Sequence, residues 1–176
     1  MASKVDVQVE VKSPADKFWG AIRDSTDLFP KVFPSQYKSI EIAEGDGKSP
    51  GTIRIIKYAE VTFSKEKVEV ADDANKLVSD GEPVQDLQAL VTFSKEKVEV
   101  ADDANKLVSY SVIDGEMVNL YKTFKPTLQV TPNGDGSLVN WSLEFEKVNA
   151  EVPEPDLILE TAVETFKDLD EYLLKN

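Results

Sequence analysis

The chain has 176 residues, 41% of them hydrophobic, with 33 acidic and 20 basic side chains and a formal net charge of −13. Such a chain suits one globular domain with a buried core, and its charge argues against a nucleic-acid backbone or an anionic membrane surface as partner. Cysteine and histidine are both absent, which removes disulfides, thiolate and imidazole metal ligands, thiolate nucleophiles and the usual general base near neutral pH.

The N-terminal stretch MASKVDVQVEVKS has no apolar h-region, and no apolar run approaches the ~20 residues of a membrane span. A cytoplasmic, soluble protein is expected. Val5, Val7, Val9 and Val11 alternate with Asp6, Gln8 and Glu10, the period of a half-buried strand. Ser13-Pro14 reads as an N-cap followed by proline at the first helical position. A helix is predicted over about Pro14 to Asp24, with Phe18, Trp19 and Ile22 on one face. A short second helix, Thr26 to Phe33, is bounded by Pro30 and Pro34. Strand Tyr37 to Glu44, the turn Gly45 to Gly51 and strand Thr52 to Glu60 come next.

Residues Val61 to Ser79, VTFSKEKVEVADDANKLVS, recur unchanged as Val91 to Ser109. A drifted structural repeat shows substitutions, and a solenoid shows more copies. An exact single duplication is a recent event or an error of sequence assembly. The chain therefore reads as a single domain, 1–176, carrying a duplicated insert over about 61–90. Within each copy the apolar phase shifts: Val91 and Phe93 are odd, Val98 and Val100 even. A bulge near Ser94 to Glu96 accounts for that, since one extra residue reverses the facing.

Two copies compete for one place in a sheet. The second runs directly into a strand, Leu107 to Ile113, and the turn Asp114-Gly115-Glu116. The first ends in Asp80-Gly81-Glu82-Pro83, so hairpin formation favours the second. The first copy is then an excursion, a hairpin on a sheet edge or an extension of the third strand, and Val84 to Leu90 could form one helical turn. Lengthening a connection from a few residues to over 30 costs only about 2 kcal/mol of closure entropy. The greater hazard is a spare strand-forming segment.

Next comes a long strand, about Met117 to Val130, in which Pro126 implies an edge position or a bulge. PNGDG, Pro132 to Gly136, is a hairpin turn. In strand Leu138 to Val148, Val139, Trp141, Leu143 and Phe145 alternate with polar residues. The final helix is predicted over about Glu154 to Leu174, with Leu159, Ala162, Val163, Phe166, Leu169 and Leu173 as its apolar stripe. This α+β order packs naturally as a curved antiparallel sheet with the long helix against its concave face.

Two motifs have tempting readings. GDGKS resembles the end of a phosphate-binding loop, but Ile42 stands where the first glycine is needed and a strand comes after it instead of a helix. A tight hairpin is the better reading. Glu160, Glu164 and Asp168 are one helical turn apart, which reads as a solvated face rather than a metal site. No metal and no cofactor is expected.

The ordered segments DLFPKVFP (Asp27 to Pro34), EGDGKSPGTIR (Glu44 to Arg54), SYSVIDGE (Ser109 to Glu116), YKTF (Tyr121 to Phe124), WSLEFEK (Trp141 to Lys147) and DEYLLK (Asp170 to Lys175) resemble the major latex proteins. These belong to the Bet v I superfamily, beside the class-ten pathogenesis-related proteins of plants. The resemblance implies a helix-grip fold, a seven-stranded sheet around the last helix, with an internal hydrophobic cavity. In relatives that cavity holds steroids, flavonoids, cytokinins, fatty acids or alkaloid precursors, and the proteins are tied to plant defence and stress.

The aromatic residues read as ordinary core on sequence alone; the resemblance makes them walls of a ligand cavity. The candidate ligand-binding set is Ile22, Phe29, Val32, Tyr37, Ile56, Tyr58, Val91, Phe93, Tyr110, Val112, Met117, Phe124, Leu128, Trp141, Leu159, Val163 and Phe166. The expected function is binding, storage or transport of an apolar or amphipathic small molecule by a monomer. An enzyme of specialised metabolism is the alternative. In the norcoclaurine synthase branch a catalytic tyrosine and a nearby acid lie just after the turn corresponding to Ile113 to Glu116. Met117 and Asn119 stand there in this chain, which counts against the same condensation, while Tyr121 and Lys122 lie close enough to offer another proton transfer. No catalytic residue is assigned. A duplication-disrupted, non-functional product is the third alternative.

Overall fold

The computed structural model describes residues 2–59 and 92–176. In chain order these form β1 (Ser3–Val11), α1 (Ala15–Arg23), α2 (Ser25–Val32), β2 (Tyr37–Glu44), β3 (Ile53–Tyr58), β4 (Phe93–Asp102) and β5 (Leu107–Gly115). A 3-10 turn (Glu116–Asn119), β6 (Tyr121–Asn133), β7 (Gly136–Lys147) and α3 (Asp156–Lys175) complete the order. The seven strands make one antiparallel sheet ordered β1-β7-β6-β5-β4-β3-β2. This is the α+β helix-grip arrangement: consecutive strands meander and β1 returns to close the far side.

Alternation explains the strands. Along β7, Val139, Leu143 and Phe145 are buried, and the turn before it bends at Gly134 with φ +64°. β1 buries only Val9 and Val11 fully, where α1 and α3 cover it. Phe18 of α1 meets Phe166 of α3 edge to face at 6.3 Å, and Leu169 and Leu173 complete the same cluster. A second cluster at the other end gathers Met117, Tyr121, Phe124, Leu143, Phe145, Val152 and Ile158.

The second copy of the duplicated segment is the one that forms β4. It pairs with β3 on one side and β5 on the other. The bulge expected near Ser94 to Glu96 is corrected. At the register shift between Lys95 and Glu96 the extra residue is Ile113 of β5, and the extra residue of β4 itself is Glu99, between Val98 and Val100. Ser94 and Val98 are therefore buried on one face while Val100 is exposed. Glu116 fastens the start of β4: its carboxylate accepts the backbone N–H groups of Thr92 (3.0 Å) and Phe93 (3.2 Å) and the Thr92 hydroxyl. The expectations for the first copy and for Val84 to Leu90 lie outside the described residues.

Three other local expectations are corrected. Ser13 does not cap α1; Pro14 is the N-cap, with no side-chain cap. Ser13 is instead taken by a tertiary partner, because its N–H and hydroxyl both donate to Asp170 of α3, at 2.9 and 2.6 Å. Met117 does not open a strand. Gly115 sits at φ +110°, where a Cβ would lie 2.4 Å from the Phe93 carbonyl oxygen, and the chain leaves it in a 3-10 turn before β6 begins at Tyr121. Pro126 is neither on a sheet edge nor at a bulge. β6 is interior, but its ladder to β5 covers only Thr127 to Gln129, so the missing N–H falls where β5 has already departed.

The Asp170 carboxylate also accepts the Lys12 N–H at 3.0 Å and is 9% exposed. Asp170→Ala leaves buried donors on Lys12 and Ser13 without an acceptor, so a loss of about 2–4 kcal/mol is expected in urea unfolding, larger than for Asp170→Asn. Deletion of residues 61–90 removes none of the described strands. The shortened chain should unfold at equal or higher stability, with a gain of up to about 2 kcal/mol from loop closure; loss of cooperative unfolding would show that the segment is needed.

Candidate functional site

Between Ile158, packed in the second cluster, and Phe166, packed in the main one, α3 does not close onto the sheet. A cavity of about 260 Å3 lies between helix and sheet, just below the ~300–1,000 Å3 common for small-molecule pockets. α3 contributes Ile158, Thr161, Ala162, Thr165 and Phe166, spaced as one face of a helix. The other walls come from α1, α2 and strands β2 to β7.

Of the residues expected at the cavity, Ile22, Phe29, Tyr37, Ile56, Tyr58, Tyr110, Val112, Met117, Phe124, Leu128, Trp141 and Phe166 line it. Four others do not. Phe93 is out of phase: Ser94 and Glu96 face the cavity, so their odd-numbered neighbour points to the other side of β4. Leu159 and Val163 lie one residue, about 100° of helix, past the lining stripe. Val163 and Val32 instead pack against the main core cluster. Val91 lies outside the described residues.

The polar members were not foreseen. Arg54 is 7% exposed; its guanidinium donates to Ser25 Oγ at 2.9 Å and to Glu96 Oε1 at 3.0 Å and stands 4.8 Å from the centre of the Tyr110 ring. The Glu96 side chain is itself largely buried, at 14% exposed. The Tyr58 hydroxyl donates to Ser94 Oγ at 3.3 Å. Arg54 Nε is the buried side-chain nitrogen or oxygen left without a partner among the described residues. The available signal was parity: Arg54 shares its β3 face with Ile56, and that face reads as apolar if only hydrophobic residues are counted.

These groups lie towards one side of the sheet. Charged and phenolic side chains come from β2 to β5, whereas β6 and β7 supply Phe124, Pro126, Leu128 and Trp141. The hydroxyls of Thr161 and Thr165 are turned back to α3, donating to the Leu157 and Thr161 carbonyls at 2.9 and 2.8 Å. Burial, with the Glu96 charge nearby, pushes Tyr37 up to about 12. Burial and the charges of Glu96 and Tyr37 raise Tyr58, and burial raises Tyr110. All three phenols therefore stay protonated as hydrogen-bonding groups at neutral pH.

Tyr121 and Lys122, the residues nearest to hand for a proton transfer, are absent from the cavity wall. The Tyr121 hydroxyl donates to the Pro153 carbonyl at 3.0 Å, and Lys122 faces outward towards Glu146, 3.6 Å away. Among the described residues no lysine lines the cavity.

The GDGKS segment joins β2 to β3 and fills its own anion nest. Asp46 accepts the N–H groups of Lys48 (2.8 Å) and Ser49 (2.7 Å) and the Ser49 hydroxyl (2.6 Å). Those bonds, Ser49's first, hold its carboxyl well below the usual range. A phosphate finds that place taken.

The chain matches the family model described as the pathogenesis-related protein Bet v 1 family over residues 1–81 and 87–176. It is 45% identical to an MLP-like protein, number 423, of Arabidopsis thaliana, over 99% of this chain and 96% of that one. Among solved structures it resembles ginseng major latex-like protein 151 from Panax ginseng, at TM-score 0.76 and 21% identity, covering 98% of both chains. It also resembles a truncated norcoclaurine synthase from Thalictrum flavum, at TM-score 0.67 and 19% identity, covering 100% of this chain and 96% of that one.

The raised phenols predict an alkaline behaviour with a definite sign. Burial also lifts Tyr121 to about 12. A phenol whose folded pKa exceeds its unfolded value of 10.0 adds stability below that value and loses it as pH climbs through the folded one. Tyrosinate absorbance of the folded protein should therefore lag behind free tyrosine, rising together with loss of circular dichroism between pH 10 and about 12. Full tyrosinate absorbance near pH 10 in a still-folded protein would contradict the burial of these rings.

Proposed function

The chain belongs to the Bet v 1 family, and from that premise we propose that it binds, and so stores or carries, an apolar or amphipathic small molecule in the cavity beneath α3. The observation that carries this reading is the cavity itself: about 260 Å3 walled by aromatic and aliphatic side chains with a confined polar group. A void of that size is not a packing accident, because protein interiors leave few spaces larger than a water. Its walls are mostly apolar, so burying hydrocarbon there gains about 25 cal/mol per Å2 removed from water.

The reading extends to the whole chain, 1–176, as one ligand-binding domain acting as a monomer in the cytoplasm. Among the described residues no helix is long and apolar enough to cross a membrane. The second copy in β4 supplies Ser94 and Glu96 to the wall, which weighs against a duplication-disrupted product. Plant defence or stress response is the setting that the family suggests. An enzymatic role has less support, because the cavity phenols are held protonated and Tyr121 and Lys122 stand outside it.

Titration with the neutral dye N-phenyl-1-naphthylamine tests this. Saturable binding at one site per chain is expected, weakened roughly tenfold or more by Ala162→Trp, which fills the cavity from α3. A folded wild-type protein without saturable binding, or an Ala162→Trp variant that binds as well as wild type, would sink the proposal.

A further inference from the structure

The cavity has a charged pair at its polar side, and the way that pair is neutralised restricts what can lie beside it. Arg54 and Glu96 are both largely buried and bonded to each other at 3.0 Å. Ser25 takes a second guanidinium N–H and the Tyr110 ring covers its face. The positive charge is thus neutralised by Glu96 before any ligand arrives, although the guanidinium Nε–H is left without a partner among the described residues. An arriving carboxylate or phosphate meets no free cation. It meets the Glu96 carboxylate, largely buried at 14% exposed, where water screens the repulsion less than at the surface.

We infer that the cavity selects neutral amphiphiles, with a hydroxyl, phenol or carbonyl oxygen set among Tyr37, Tyr58 and the Arg54–Glu96 pair and the apolar body along β6, β7 and α3, and that it discriminates against anionic lipids and acids. This rests on the ligand-binding reading above and names the chemical class of its ligand.

Three further observations support it. The Tyr37 phenol remains protonated far above neutral pH and serves a ligand oxygen as donor, while the Tyr58 oxygen, whose own proton is directed to Ser94, serves a ligand hydroxyl as acceptor. Arg54 Nε lacks a partner, so hydrogen bonding at this side is incomplete in itself. The whole chain carries a net charge of −13, whose field opposes the approach of anions. The Arg54–Glu96 pair then sets the same preference at contact range. No second cation is available to reverse it, since Arg54 is the basic residue on the wall among the described residues.

The test is displacement of bound N-phenyl-1-naphthylamine at about pH 7.5 by two competitors of equal chain length, 1-dodecanol and dodecanoate. Dodecanol should displace the dye at roughly tenfold lower concentration or better. Because any apolar pocket prefers the uncharged partner to some degree, the ratio is measured again in Glu96→Gln. That change releases the Arg54 charge without removing much volume, and the ratio should move at least about tenfold towards dodecanoate. An unchanged ratio in a folded Glu96→Gln protein, or equal displacement by both competitors in wild type, overturns the inference while leaving ligand binding intact. Tyr58→Phe removes one hydroxyl and little packing, so it serves if Glu96→Gln does not fold. It should weaken dodecanol about threefold to tenfold and leave 1-chlorododecane unchanged; equal effects on both overturn the placement of the polar head. A wild-type protein that fails to bind the dye at all removes the ligand-binding reading and this inference together.

Discussion

The grip of this fold depends on one buried carboxylate. Asp170, near the end of α3, accepts from Lys12, Ser13 and the Ser13 hydroxyl, where β1 turns into α1. Ser137 of β7 adds its hydroxyl to the Ser13 carbonyl at 2.5 Å, so three elements meet there. Lys17 closes the same end by donating to the Leu173 carbonyl at 2.7 Å, a cation placed at the negative end of the helix. With that end fixed, Phe166, Leu169 and Leu173 are driven into the core. The middle turns of α3 then face the cavity through Thr161, Ala162 and Thr165, while Ile158 packs into the second cluster at the far end. The cavity lies between the two packed ends of α3, Ile158 in the second cluster and Phe166 to Leu173 in the main one.

Space alone does not make a binding site, and the polar side is where the fold is least economical in stability. A buried ion pair rarely offsets the desolvation of its two charges better than well-packed hydrophobic residues would. Arg54 and Glu96 are nevertheless placed opposite each other in register, on adjacent strands β3 and β4. Ser25 is brought to the guanidinium from α2. Tyr37 and Tyr58 pack ring to ring at 5.8 Å across β2 and β3, which fixes their planes before any ligand enters. The arrangement is preorganised, and a ligand needs to order little of it on binding.

Strand order and the long helix were legible because period-2 and period-3.6 patterns report which face is buried. The bulge of β4 was misplaced: taking Phe93 as inward puts it near Ser94 to Glu96, whereas the extra residue is Glu99. The patterns were less informative about what the face meets. Phe93 is large and aromatic, yet Ser94 has the inward phase; on β4 size misleads and parity does not. Ile158 reads like Leu159, and only the docking angle of α3, set at Asp170, decides which one faces the cavity. Ser13 has the composition of a cap, but a carboxylate 157 positions later outcompetes the helix N–H groups. Arg54 was hidden for a related reason. A charged residue on an otherwise apolar strand face looks like an exception until its partner, 42 positions away, is known. Each miss is a case of tertiary contact overriding a local preference.

The duplicated segment shows the same priority of context over local sequence. Both copies offer identical strand chemistry, including the serine and glutamate that β4 presents to the cavity, so nothing inside the segment distinguishes them. The difference lies in the residues immediately C-terminal to each copy. After Ser109 the sequence continues through Tyr110, Ser111, Val112 and Ile113 before Asp114-Gly115-Glu116. After Ser79 the Asp-Gly-Glu triplet comes at once, with Pro83 behind it. Only the longer continuation lets the returning strand pair from Leu107 back to Gly115 opposite Ser94. It also places Glu116 where it can hold Thr92 and Phe93. Tyr110, which covers the Arg54 guanidinium, belongs to that continuation and has no counterpart after the first copy. Selecting the second copy is thus the same event as completing the polar side of the cavity. The residues that settle the register of β4 and β5 are the ones that enclose the charge at the site.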